Sequence, residues 1–345
     1  MAHRVRRRWL AWLSALLTAW CCPPLLADSL PRPAPTAAQQ QALQRAAAAV
    51  VGIEAQAVDG ARSAATLGRA RAGSGVVIAD DGLVATIGYL ILEADQVQIV
   101  TDDERRIPAR VVAYDVASGF GLVRALAPLR LAPVNLGEPA RHDQNEPLMV
   151  VNGGDEGRVG AARLVSRRGF SGYWEYHVDG ALFTSPPIPH HSGAGLFNAR
   201  GELLGIGSLF VTDAAGAQAP RMAGNMFVPV DLLRASLPEM LSAGRSKSSE
   251  RAWMGLNCVV HEGRIRVVRV NPDSPADAAG VEVGDEVVAI DGQAVDSLEQ
   301  LWKQLWRGPR AERTVLLDIQ RGGRVEKLTV HAVDREKTLR RPAGV

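Results

Sequence analysis

Between residues 73 and 211 the apolar positions fall in short β-branched clusters cut by glycine, aspartate and proline. They are Gly75-Val76-Val77-Ile78, Gln96-Val97-Gln98-Ile99-Val100, Arg110-Val111-Val112-Ala113, Leu148-Met149-Val150-Val151 and Leu203-Leu204-Gly205-Ile206. Turn residues recur roughly every eight to twelve positions, the spacing of an all-β sandwich or barrel. Upstream, the Pro/Ala/Gln-rich residues 28–41 predict a mobile arm. A short helix is predicted around residues 42–51, and the Gly/Ala/Arg-rich residues 59–72 read as a loop. Residues 229–241 carry Leu232, Leu233, Leu237 and Met240 on one face of a predicted helix.

A Ser/Gly/Lys/Arg stretch over residues 242–251 predicts the linker between two domains, and the pattern then starts afresh. Residues 263–270 and 283–291 read as strands, and residues 274–279 as a short helix stopped by Gly280. Residues 296–306 predict a second helix with Leu298, Leu301, Trp302 and Leu305 inward. Residues 314–321 and 325–332 flank Gly322-Gly323 as a hairpin, and residues 336–345 are left as a tail.

Composition places this pattern in a globular chain of 345 residues, 47% hydrophobic and 22% charged, long enough for more than one core. The first 27 residues are predicted to be a signal peptide. Arg4, Arg6, Arg7 and Arg8 precede an apolar run over residues 9–20, and Leu25-Leu26-Ala27 offers a small residue before Asp28. The alternative is an uncleaved anchor over residues 9–20. The leader holds four of the 39 basic residues and none of the 37 acidic ones, so the remainder is slightly acidic and nothing argues for nucleic acid. Two of the three cysteines, Cys21 and Cys22, lie in the leader. Cys258 is then alone, without an internal disulfide partner, and reads as a small buried apolar residue.

The candidate chemistry lies in His191-Ser192-Gly193-Ala194-Gly195-Leu196, followed by Asn198-Ala199-Arg200-Gly201-Glu202-Leu203-Leu204-Gly205-Ile206-Gly207. This looks like the nucleophile loop and following hairpin of a trypsin-like serine protease. Three further segments extend the likeness: Gly73-Ser74-Gly75-Val76-Val77-Ile78, Met226-Phe227-Val228-Pro229-Val230-Asp231-Leu232-Leu233, and the run from Ser274-Pro275-Ala276-Asp277 through Gly280 and Gly284-Asp285 to Asp291-Gly292. Together they resemble the HtrA/Deg family of exported proteases over residues 42–333. The resemblance implies a mainly β fold: a trypsin-like double β-barrel over residues 42–241, then a PDZ domain over residues 252–335, β-rich with two helices.

A serine hydroxyl needs a neighbouring base and a group that orients the base. By the resemblance, Tyr89 of Thr86-Ile87-Gly88-Tyr89 stands at the histidine position, and Gly119 of Ser118-Gly119-Phe120-Gly121-Leu122 at the aspartate position. A phenol titrating near ~10 is a poor base at neutral pH. His190 stands where the family has the oxyanion-hole glycine, and a side chain there disfavours the backbone geometry the hole requires. His190 and His191 immediately precede Ser192, but neighbouring positions send side chains in divergent directions, so neither is expected to act as its base. No Cys/His/Asp cluster completes a metal shell, so no metal and no cofactor are expected. Ser192 then reads as a vestigial nucleophile whose small size suits the loop, or as the centre of a weakly reactive hydrolase.

PDZ folds add a peptide as a strand and hold its terminal carboxylate with loop amides. By position, Trp253-Met254-Gly255-Leu256 is that loop, and the pairing edge runs from Asn257 to Val260. Leu301, Trp302 and Leu305 line the side-chain pocket or belong to the core. The combined expectation is an exported, periplasmic pseudoprotease that binds polypeptide clients or C-terminal peptides as an adaptor, chaperone or modulator of envelope protein quality control. The alternative is a serine endopeptidase with residual activity at Ser192. The family implies a homo-oligomer, a trimer, or a mixed oligomer with an active relative.

Overall fold

In a computed structural model that describes residues 36–142, 146–154 and 157–340, the chain forms two closed barrels and a third, open sheet. The predicted signal peptide, the alternative anchor over residues 9–20 and most of the predicted arm lie outside the described residues. Among the described residues no helix is long and apolar enough to cross a membrane.

Helix α1 (Ala37–Ala48) precedes the first barrel and takes up the last residues of the predicted arm. The helix was expected to reach residue 51, but Val50 and Val51 already belong to strand β1 (Val50–Ala57). Both valines are buried and pair with Val76 and Gly75, and β-branched side chains prefer the pleated ladder to a last helical turn. The expected loop over residues 59–72 holds the one-turn helix α2 (Ala64–Leu67) and the start of β2 (Ala70–Val77). Strands β3 (Leu83–Ile87), β4 (Ala94–Val100), β5 (Arg106–Tyr114) and β6 (Phe120–Ala125) close the barrel in the order β1-β2-β3-β6-β5-β4.

The second barrel uses β7 (Pro147–Asn152), β8 (Arg158–Ser171), β9 (His177–Ser185), β10 (Gly195–Phe197), β11 (Leu203–Val211) and β12 (Gly224–Pro229), in the order β10-β11-β12-β9-β8-β7. Closure pairs every edge strand and, apart from 110–113, where Val111 is exposed and only Ala113 is buried, the apolar clusters read from the sequence find an interior. Phe120, Phe183, Phe197 and Phe227 are fully buried there, each contributing about 1.5–3 kcal/mol. Helix α3 (Val230–Ala243) then packs Leu233 and Met240 inward and ends at Gly244 in the left-handed conformation.

The segment expected to be the linker is pinned. Ser246 and Ser249 hydroxyls both donate to Asp115 Oδ1 at 2.5 Å, and Ser118 donates to the other oxygen through its hydroxyl and its backbone N–H. Burial would raise the Asp115 pKa, but these donors outweigh it and hold the carboxyl below its usual range.

The last sheet comprises β13 (Ala252–Trp253), β14 (Leu256–His261), β15 (Arg264–Val270), β16 (Glu286–Ile290), β17 (Gln293–Ala294), β18 (Arg313–Arg321) and β19 (Arg324–Asp334), in the order β13-β19-β18-β16-β15-β14 with β17 on β16. Helices α4 (Pro275–Ala278) and α5 (Leu298–Leu305) accompany it, each capped by a serine side chain, Ser274 and Ser297. Strand β18 shows the period of two plainly: Val315, Leu317 and Ile319 are buried while Leu316 between them is half exposed. Their core includes Cys258, Leu301, Trp302 and Leu305, all at 0% exposure.

Candidate functional site

Ser192 sits on a loop whose backbone is held by both barrels. Its carbonyl accepts from the Ser74 amide at 2.8 Å, and the next amide, Gly193 N, donates to Gly207 O at 2.8 Å. Gly193 has φ +78°, and a Cβ there would strike the Ser74 carbonyl, so the turn after the serine requires glycine.

Tyr89 lies on the 3₁₀ turn Gly88–Leu90, directly after β3. Arg71 anchors that turn, its Nη1 donating to the carbonyls of Tyr89 at 2.9 Å and Leu92 at 2.6 Å. From there the Tyr89 hydroxyl reaches across 103 positions of sequence to lie 2.7 Å from Ser192 Oγ and 2.8 Å from the Ser208 carbonyl. A phenol has one hydrogen to give, and it is a base only after losing it. Burial pushes the Tyr89 pKa up to about 12, against the smaller opposing effect of the Ser192 hydrogen bond. Tyr89 therefore touches the serine as a neutral hydroxyl.

Gly119 has φ +82°, and the space its side chain would enter is filled: a Cβ would come within 2.8 Å of the Tyr176 hydroxyl. Tyr176 is buried, donates to the Ser118 carbonyl at 2.7 Å, and stacks on Trp174 with centroids 5.6 Å apart. Gly119 and the turn are joined directly, because Gly88 N donates to Gly119 O at 2.7 Å. Tyr114 packs against Gly88. Three of the four tyrosines of the chain thus occupy the space around the serine and its neighbouring turns, with no carboxylate at 119.

His190 takes φ +53°, so the histidine adopts a left-handed backbone that was expected to be disfavoured there. His191 is half-buried, its ring held by the Ile188 backbone. Burial, more than the charge of His190, lowers its pKa, while the Ile188 bond opposes the shift. Neither of two cavities found in the described residues lies at Ser192. The larger, about 400 Å³, lies among Ala47, Val50, Thr101 and Asn152, and the smaller, about 230 Å³, lies among Asp115, His177, Leu232 and Arg251.

The loop 253–256 holds a carboxylate. The amides of Met254, Gly255 and Leu256 donate to Glu175 Oε1 at 2.9, 3.0 and 3.3 Å. Glu175 comes from the tip of the β8–β9 hairpin, which the sequence reading passed over. Gly255 has φ +91° and a Cβ there would strike Ser274, whereas Trp253 precedes the amide cluster and pairs with Val333 of β19. Leu301 and Leu305 pack in the core, and Trp302, also buried, donates through Nε1 to the Gly172 carbonyl at 3.0 Å. The signal that could have found the hairpin tip is Tyr173-Trp174-Glu175-Tyr176, three aromatics in four positions of a chain only 5% aromatic.

Burial pushes the Glu175 carboxyl up to about 7, against Arg335 and the three amides, which favour its charge. His177, Asp179 and Glu299 bring their donor atoms within 4.8 Å of one another. The Lys303 ammonium bridges those two carboxylates, at 3.0 and 2.7 Å.

Comparison with known proteins agrees with this architecture. Residues 73–206 match the trypsin-like peptidase domain family and residues 252–332 the PDZ domain family. A serine endoprotease DegS of Haemophilus influenzae is 26% identical over 264 residues, covering 75% of this chain and 76% of the relative. The periplasmic serine endoprotease DegP of Escherichia coli K12 is 25% identical over 256 residues, 71% of this chain and 53% of the relative. A probable serine protease do-like of Buchnera aphidicola is 25% identical over 75% of this chain and 55% of the relative. The chain thus spans about half the length of the first curated relatives it matches.

Among solved structures, an HtrA-type protease AlgW with a tripeptide superposes with TM-score 0.53 at 20% identity, covering 86% of this chain and 97% of that one. The serine endoprotease from Yersinia pestis does so with TM-score 0.53 at 22% identity, covering 88% and 99%. The chain joins a trypsin-like peptidase domain to a PDZ domain and has homologues among the DegP- and DegS-type serine endoproteases.

Proposed function

We propose that this is an exported polypeptide-binding protein on a trypsin-like scaffold whose endopeptidase chemistry has been lost, acting as an adaptor, chaperone or modulator of envelope protein quality control. The observation that carries the reading is the contact between Tyr89 and Ser192: the group against the serine oxygen is a partly buried phenol held neutral, not a base. Tyr176 over Gly119 supports it, since no carboxylate stands where an orienting group would be needed. Export is supported by the leader pattern and by relatives named as periplasmic. Peptide binding is supported by the PDZ domain and by similar HtrA-type structures described with a tripeptide or a decapeptide. Assembly as a trimer or with an active relative follows from the family resemblance alone. A second reading, a serine endopeptidase at Ser192, is favoured by the names of the relatives and by the retained serine loop.

The deciding experiment incubates the exported chain with unfolded casein and with a fluorophosphonate probe at pH 7. Casein should be retained without cleavage, and the probe should leave Ser192 unlabelled. Stoichiometric labelling that disappears in Ser192→Ala would establish the endopeptidase reading instead.

A further inference from the structure

The segment 172–175 enters the PDZ domain as a bound peptide would. Its Glu175 carboxylate takes three loop amides, and two residues earlier the Tyr173 carbonyl accepts from Cys258 N on β14 at 2.6 Å. Between them Trp174 forms an antiparallel bridge with Asn257. The Gly172 carbonyl is held by Trp302 Nε1 at 3.0 Å, from the helix that faces β14 across the groove. The backbone runs toward the amide loop and ends its contact there in a carboxylate, the polarity of a C-terminal ligand added to a sheet edge. Glu175 is only 4% exposed, and its second oxygen is buried without a hydrogen-bond partner. A buried carboxyl oxygen without a hydrogen-bond partner is costly, so this residue is not explained as packing.

We propose that residues 173–175 are an internal ligand of the PDZ domain. The chain closes its own groove, and a polypeptide with a free C-terminal carboxylate enters only by displacing Glu175. The internal segment also indicates the ligand class: an extended chain that pairs with β14, carries its carboxylate at the amides of 254–256, and supplies a carbonyl to Trp302. The displacement step rests on the peptide-binding reading above, whereas the internal contact does not. Because the competitor is tethered, the apparent affinity for an outside peptide is reduced by the fraction of molecules whose groove is open. If about one molecule in ten to one in a hundred is open, removing the tethered carboxylate raises affinity by about ten- to a hundredfold.

The test uses the full chain, Glu175→Ala and the near-isosteric Glu175→Gln, with two probes: a fluorescent peptide ending in a free apolar C-terminus, and its C-terminal amide. Amide hydrogen exchange at Met254, Gly255, Leu256 and Cys258 is followed alongside. The expected result is faster exchange at these amides and at least about tenfold tighter binding of the free peptide in Glu175→Ala. Protection should be retained in Glu175→Gln, which keeps a carbonyl acceptor, and neither variant should bind the amidated probe. Equal peptide affinity in wild type and Glu175→Ala, or unchanged exchange, would overturn the internal ligand. Faster exchange with no peptide binding to either protein would instead sink the peptide-binding reading and leave the internal contact standing.

Discussion

Replacing Tyr89 by phenylalanine separates its two possible roles. As a base, Tyr89 would have to be a phenolate, and with its pKa pushed up to about 12 only about one molecule in 100,000 carries that form at pH 7. That deficit corresponds to about 7 kcal/mol of lost driving force, more than a general base ordinarily contributes. As a structural donor, the hydroxyl serves the Ser208 carbonyl at 2.8 Å. Its removal leaves that partly buried acceptor unpaired, at a cost of about 1–3 kcal/mol.

Tyr89→Phe should therefore lower the free energy of urea unfolding by about 1–3 kcal/mol while leaving fluorophosphonate labelling of Ser192 at its background rate. The assay pairs denaturation with labelling from pH 6 to pH 9.5, using Ser192→Ala as background. The reasoning is refuted by the crossed result: Ser192-dependent labelling that reaches a plateau by about pH 8 and is lost in Tyr89→Phe, with stability unchanged. A plateau there would require a base far more acidic than this phenol.

Two further outcomes are expected. The Glu175 carboxyl is raised from an ordinary value of 4.5 to about 7 when docked, with Arg335 and the neutral Cys258 thiol facing it, so docking is fully supported below about pH 4.5 and weakens as pH rises through 7. The loss totals about 3 kcal/mol. Protection factors of the 254–256 amides, corrected for intrinsic exchange, should fall between pH 5 and pH 8, and an opposite or absent trend would show that the docked carboxyl is not raised. Introducing an aspartate through Gly119→Asp should destabilise the protein by roughly 1–3 kcal/mol, because φ is +82° there and the new Cβ meets Tyr176. Thermal unfolding no lower than wild type would mean that Tyr176 yields easily.

The geometry also shows why the two domains cannot be read as independent modules on a loose tether. Serines of the linker are bound to Asp115, Arg245 pairs with Asp334 at 3.0 Å, and the β8–β9 tip lies in the PDZ groove. Each contact joins residues 79 or more positions apart, with polar groups whose composition alone reads as ordinary surface.

By itself the sequence determined several strands of each domain and the joining of a trypsin-like peptidase domain to a PDZ domain. These are local properties: β-branched periodicity fixes which face is buried, and a motif names its own residues whatever they contact. It misplaced the end of α1, because Val50 and Val51 follow the ladder with Val76 and Gly75 and not the helical run before them. Only the tertiary structure decided what surrounds Ser192 and what fills the PDZ groove. Tyr89 meets Ser192 across 103 positions, Tyr176 covers Gly119, and Glu175 reaches three amides about 80 positions away. A tyrosine or a glutamate in isolation shows no sign of such partners. Barrel closure and the docking of one hairpin tip bring them together, because a buried hydroxyl or carboxylate must find a hydrogen-bonding partner and the fold determines which ones are within reach.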